Sequence, residues 1–88
     1  MVLTFLESTE GDLPQLSRAF AEGDAEKMRA VAHHIKGAAA NLELNRIAAT
    51  AKLVEDKARR GVLEDPAAHV QMIHDRLESI RTQVSAKE

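Results

Sequence analysis

Apolar residues recur at every third or fourth position through most of the 88-residue chain. This spacing places them along one face of an α-helix, whereas no segment alternates in the manner of a half-buried β-strand. The most regular stripe alternates steps of three and four residues and contains Val70, Ile73, Leu77, Ile80 and Val84. Such a seam is typical of a helix that packs in a bundle.

Glycine, proline and aspartate residues divide the chain into four amphipathic segments. Gly23 and Gly61 follow the first and third segments, Asp24 is a suitable N-cap for the second, and the Asp-Pro pair at 65–66 opens the fourth. Four amphipathic helices joined by short turns predict an all-α fold, an antiparallel up-down four-helix bundle. We expect residues 1–88 to form a single domain.

Pro14 interrupts the first segment, whose stripe contains Leu13, Leu16 and Phe20. Proline lacks a backbone N–H and is tolerated best in the first turn of a helix, where Asp12 would act as the cap. We therefore expect a kink or a break near residues 9–12. The second segment is expected to end near residues 41–43.

The charge balance and the composition exclude several classes of function. The chain has 12 basic and 14 acidic side chains, a net charge of −2, no cysteine and 2% aromatic residues. Nucleic-acid binding is not expected, because the chain lacks excess positive charge and aromatic rings for stacking on bases. Because the chain has no cysteine, it can form neither a disulfide nor a thiolate metal site. No apolar run approaches the roughly 18 residues of a membrane span, and the N-terminus lacks the basic start of a secretory signal, so we expect a cytoplasmic protein.

The length of the chain also limits its chemistry. A domain of this size encloses only a small core, which leaves little room for a large active site. No glycine-rich phosphate-binding motif occurs in the sequence, so we expect no nucleotide site and no enzymatic activity of the chain by itself.

His33 stands out on the second segment because it faces away from the core. At about 100° per residue it lies about 140° from Met28. Four residues share the face of His33, and they are Arg29, Lys36, Gly37 and Ala40. The adjacent His34 falls on a flank of the helix, nearer to a neighbouring helix.

Gly37 is unfavourable in a helix interior by about 1 kcal/mol relative to alanine, which indicates that a missing methyl group serves a purpose. Close approach of another macromolecule to His33 is such a purpose. Lys36 supplies a mobile positive charge that suits a phosphoryl group, and a neutral imidazole is nucleophilic. The residues therefore favour a phosphorylatable histidine. The alternative is an ordinary solvated histidine beside ordinary surface charges.

A wider pattern surrounds His33. Residues 32–39 read A-H-H-I-K-G-A-A, and they are followed by Asn41-Leu42, Ile47, Ala51, Val54-Glu55, Ala58 and Gly61. The preceding residues of the pattern are Phe5-Leu6, Leu13-Pro14, Leu16, Phe20 and Gly23-Asp24. Over about residues 5–62 the chain resembles the histidine-containing phosphotransfer (HPt) domain, whose pattern is A-H-x-[LI]-K-G-[SA]-[SA].

The resemblance implies that His33 accepts a phosphoryl group on Nε2, that Lys36 is the cation beside that group, and that Gly37 admits the partner. Arg29 and Ala40, on the same face, complete the docking surface. The implied partners are receiver domains of response regulators or of a hybrid sensor kinase. The resemblance implies that the chain itself binds no cofactor and that Mg²⁺ is bound by the receiver. A monomer is expected.

The chain departs from the family pattern after Leu42. Glu43 stands where the family often has glycine, and Leu44 replaces the usual alanine. We therefore expect the turn near residues 41–46 to differ in shape from that of relatives.

Two other functions remain open from the residues. The first is a metal-binding bundle that uses His33, His34, His69 and His74. Its spacing is poor, because His69 and His74 are five residues apart and lack the i, i+4 geometry of paired helix ligands. The second is a purely structural helical interaction module, which leaves Gly37 and the positive charges unexplained.

Overall fold

The computed structural model describes the backbone of residues 2–87 and the side chains of residues 4–84. It contains four helices, which are α1 (Val2–Ala21), α2 (Ala25–Asn41), α3 (Asn45–Arg59) and α4 (Ala67–Lys87). Helices α1 and α3 each pack against both α2 and α4. The described chain contains no strand, and the predicted all-α four-helix bundle is confirmed.

The core consists of the apolar stripes that the periodicity predicts. Helix α2 buries Met28, Ala32, Ile35 and Ala39, and α3 buries Ile47, Ala51, Val54 and Ala58. Ile73 and Leu77 of α4 are fully buried against them. Burying each large aliphatic side chain contributes about 1.5–3 kcal/mol, so these stripes fix the rotation of every helix about its own axis. In the described part of the chain, no helix has the length and apolarity needed to cross a membrane.

Helix α1 runs unbroken through Pro14, so the predicted break near residues 9–12 is wrong. Asp12 is likewise not a cap, because its carboxylate faces α2. The cost of proline inside a helix is about 3 kcal/mol. Large apolar side chains on both sides of Pro14 are buried, and they are Phe5, Leu6, Leu13 and Leu16. Their burial outweighs the lost hydrogen bond and keeps the helix continuous.

The turns that follow α1, α2 and α3 share one backbone arrangement. Each contains one residue in the left-handed region, at Gly23 (φ 69°), Glu43 (φ 59°) and Gly61 (φ 78°). After α2, the Leu44 N–H donates to the Ala39 carbonyl at 2.9 Å, and the Glu43 N–H donates to the Ala40 carbonyl at 3.1 Å. This is the Schellman arrangement, in which glycine is the usual left-handed residue.

Glu43 therefore adopts the conformation that a glycine would adopt. The backbone of this turn has the same hydrogen-bond pattern as the turns at Gly23 and Gly61, and the expected difference from relatives at residues 41–46 stays a prediction. The turn matters for the site because this three-residue connection sets α3 beside α2.

Candidate functional site

His33 lies on the outer face of α2, as the helical periodicity predicts. The core residues Ala32 and Ile35 on either side of it are fully buried and fix the orientation of the helix. The His33 side chain is 60% exposed. Its ring is therefore accessible to a second macromolecule while its backbone is held rigidly.

Glu55 reaches His33 from α3. It lies in the buried stripe of α3 between Val54 and Ala58, and its side chain is completely buried. Glu55 Oε2 lies 2.7 Å from Nδ1 of His33. An exposed imidazole is thus tied at one nitrogen to a buried carboxylate.

The charge on Glu55 decides which nitrogen of His33 carries the proton. The Lys36 ammonium, with a further contribution from His33, holds the pKa of Glu55 below its usual range despite burial. The carboxylate is therefore ionised at neutral pH and can only accept hydrogen bonds. It follows that Nδ1 of His33 donates to Oε2, and that Nε2 of the neutral ring keeps its lone pair.

Two cations share the Glu55 carboxylate with His33. Lys36 Nζ lies 2.6 Å from Oε1, and Arg59 Nη2 lies 3.1 Å from Oε2. Lys36 comes from the same face of α2 as His33, whereas Arg59 is one turn after Glu55 on α3. The site therefore has one buried negative charge and two cations beside an exposed nucleophilic nitrogen.

The surface next to His33 is open at Gly37. A Cβ atom placed on Gly37 would have no neighbour within 4 Å, so packing inside the domain does not require a glycine at this position. Ala40, one turn further on, is exposed as well. Arg29 pairs with Glu26, with Nε at 3.1 Å from the carboxylate. The structure thus places Gly37 and Ala40 beside the exposed ring, and it gives Arg29 an ion-pair partner on its own helix.

His34 has a partner on the opposite side of α2. Its Nδ1 lies 2.7 Å from Oδ2 of Asp12 on α1, and its side chain is 60% exposed. Asp12 keeps 19% of its side-chain exposure, in contrast to the buried Glu55. In the described residues, no cation pairs with Asp12. The two adjacent histidines therefore have similar exposure and hydrogen bonding but different electrostatic surroundings.

The other histidines lie on α4, away from His33. His69 lines a small cavity with Val54 and Pro66, and His74 lies 3.7 Å from Glu78. Among the residues that the structure describes, no group of three or more histidine and acidic side chains is placed to hold a metal ion.

The sequence predicts His33, Lys36 and Gly37 as site residues, but it predicts no role for Glu55 or Arg59. Glu55 appeared only as part of the Val54-Glu55 step of the family pattern. Its place in the buried stripe was the available signal, because a charged residue between Val54 and Ala58 on the apolar face of a helix needs a partner.

Comparison with protein families agrees with this geometry. A family model described as Hpt domain matches residues 1–83. The chain therefore belongs to the Hpt domain family, and it has the histidine phosphotransfer role in phosphorelay that defines the family. No curated protein sequence and no solved structure matches the chain.

Proposed function

We propose that His33 accepts a phosphoryl group on Nε2 from the phospho-aspartate of a receiver domain and passes it to another receiver. The observation that carries the proposal is the bond between Nδ1 of His33 and the buried, ionised Glu55. In the neutral ring this bond makes Nε2 the unprotonated nitrogen, and an unprotonated imidazole nitrogen is the nucleophile that the reaction requires.

The transfer step balances without a proton acceptor. The Nε2 lone pair forms the N–P bond while the P–O bond of the acyl phosphate breaks, and the aspartate carboxylate leaves with that electron pair. Nδ1 keeps its proton, so the phosphorylated ring of His33 carries a positive charge beside the Glu55 carboxylate. In the onward step a carboxylate oxygen of the second receiver's aspartate forms the new P–O bond while the N–P bond breaks, and His33 leaves with that electron pair as a neutral imidazole. Glu55 therefore stabilises the phosphorylated form of His33.

Positive charge around the phosphoryl group is the second requirement. Phosphoryl transfer passes through a loose transition state in which negative charge spreads over the equatorial oxygens. We propose that Lys36 contributes positive potential from the chain, and that Mg²⁺ bound to the receiver contributes the remainder. The chain itself needs no cofactor in this scheme and acts as a carrier of the phosphoryl group.

The receiver is proposed to dock over Gly37 and Ala40, with Arg29 at the edge of the contact. The open space at Gly37 supports this placement, since a partner can approach the helix backbone there. The surface around His33 lacks aromatic anchors, so a small and transient contact is expected.

Labelling through a receiver tests the proposed function. A receiver is phosphorylated by a small-molecule donor with Mg²⁺ and mixed with the wild-type chain, His33→Gln or His34→Gln. Wild type and His34→Gln should gain phosphate that is labile in acid and stable in alkali, as expected of an N–P bond. His33→Gln should gain none, and labelling of His33→Gln would overturn the assignment. ATP alone should label none of the three.

A further inference from the structure

The two oxygens of Glu55 are occupied unequally. In the described structure, Lys36 is the sole cation paired with Oε1, at 2.6 Å. Oε2 has two partners, which are His33 Nδ1 at 2.7 Å and Arg59 Nη2 at 3.1 Å. The carboxylate can therefore lose Arg59 and keep a partner on each oxygen.

The exposed fractions of the two side chains also indicate that Arg59 leaves Glu55 more easily than Lys36 does. The Lys36 side chain is 31% exposed and that of Arg59 is 60% exposed. If Lys36 left, Oε1 would remain buried without a partner, which is strongly unfavourable. Arg59 is the more exposed cation, and Oε2 keeps its bond to His33 Nδ1 when Arg59 leaves, so the release of Arg59 is the smaller change.

We propose, on the basis of His33 as the phospho-acceptor, that Arg59 leaves Glu55 when His33 is phosphorylated and binds the phosphoryl oxygens, while Lys36 stays on Oε1. Arg59 and the His33 ring share the Oε2 atom, so the guanidinium already lies beside the ring. Its planar set of N–H donors matches two phosphoryl oxygens, whereas an ammonium is a point charge. This rearrangement exchanges hydrogen-bond partners and breaks no covalent bond.

The lifetime of phosphorylated His33 tests the role of Arg59. Wild type, Arg59→Gln, Arg59→Lys and Arg60→Gln are labelled through a receiver, separated from it and followed at neutral pH. Arg60 is the matched control, because it is the adjacent exposed arginine and has no ion pair among the described residues. We expect a several-fold shorter lifetime for Arg59→Gln, partial recovery for Arg59→Lys and the wild-type lifetime for Arg60→Gln.

A second measurement separates binding of the phosphoryl group from a structural role. The side-chain ¹⁵N resonances of Arg59 should shift on phosphorylation of the wild-type chain, and those of Arg60 should not. Equal lifetimes for Arg59→Gln and wild type, or Arg59 resonances that do not respond, would overturn the inference. Failure of the wild-type chain to be labelled on His33 would instead overturn the proposed function.

Discussion

His33 and Glu55 are 22 residues apart in sequence and lie on different helices, yet His33 Nδ1 and Glu55 Oε2 are 2.7 Å apart. One side chain is 60% exposed and the other is completely buried. The exposed imidazole is thus held by a carboxylate that solvent does not reach. Hydrogen bonding from within the domain fixes the ring, so a partner does not have to orient it.

Glu55→Gln should slow phosphoryl transfer to His33. The amide oxygen can still accept from Nδ1, but it cannot neutralise the positive charge on the phosphorylated ring of His33. The loss of a charge-assisted bond corresponds to about 1–2 kcal/mol, or about tenfold in rate. Rapid-quench transfer kinetics provide the measurement, and Glu22→Gln, which removes an exposed carboxylate, is the control. A wild-type rate in Glu55→Gln would show that charge compensation is not needed.

The stability of the domain should depend on pH through the same carboxylate. The Lys36 ammonium lowers the pKa of Glu55 in the folded chain below its ordinary value of about 4.5. The stabilisation is therefore complete above about pH 4.5 and is lost as the pH falls through the lower folded-state pKa. Urea unfolding of Glu55→Gln should lack this part of the acid dependence. Parallel acid profiles for the variant and wild type would contradict the expectation.

Gly37→Gln should separate stability from transfer. A side chain meets open space at this position, and glutamine favours a helix over glycine by about 0.5–1 kcal/mol, so the variant should be at least as stable as wild type. Transfer from a receiver should slow because the new side chain occupies the docking surface. Gly11→Gln is the matched control, since Gly11 is also a helical glycine with no neighbour within 4 Å of its Cβ position. Equal transfer rates in both variants would exclude a docking role for Gly37.

Lys36→Ala should affect both stability and transfer. It leaves Glu55 Oε1 buried without a charged partner, at a cost of about 1–3 kcal/mol, and it removes positive potential from the site. Lys36→Arg should recover part of each property, and Lys52→Ala, which removes an exposed lysine, should change neither. Chemical denaturation and transfer kinetics are measured on the same samples. Wild-type values for Lys36→Ala would show that the lysine is only a solvated surface charge.

Glu43→Gly should stabilise the domain without changing the site. The left-handed conformation costs a non-glycine residue about 1–2 kcal/mol, and the greater freedom of glycine in the unfolded chain offsets part of the gain. We expect a net increase of about 0.5–1 kcal/mol in the free energy of unfolding and an unchanged transfer rate. Glu43→Ala retains the strain and should show no such increase, and a similar gain in both variants would place its origin elsewhere.

Local patterns predict the helices because each helix is specified by its own apolar period and its ends. Asp24 illustrates this, since its carboxylate accepts from the Lys27 N–H at 3.0 Å as an N-cap. Pro14 shows the limit of local reasoning. Proline disfavours a helix interior, but the burial of neighbouring side chains by other helices exceeds that cost and is not visible in the first segment alone.

Part of the candidate site can likewise be predicted from local patterns, and part of it cannot. The face shared by His33, Lys36 and Gly37 follows from the geometry of one helix, and the sequence is sufficient to predict it. The positions of Glu55 and Arg59 depend on how α3 lies beside α2, which the periodicity of either helix does not contain. The sequence is therefore sufficient to predict which residues share the outer face of one helix. A contact between side chains of two helices can be identified only from the structure of the assembled bundle.

The pairing of His34 with Asp12 has a consequence for spectroscopy. Two neighbouring imidazoles in one chain each have Nδ1 at 2.7 Å from a carboxylate, yet the carboxylates belong to opposite neighbouring helices. The two rings have the same exposure and the same Nδ1 hydrogen-bond distance, but they contact different carboxylates. A change confined to the His33 ring then reports an event on the α2–α3 side of the bundle, and the His34 ring serves as an internal reference within the same molecule.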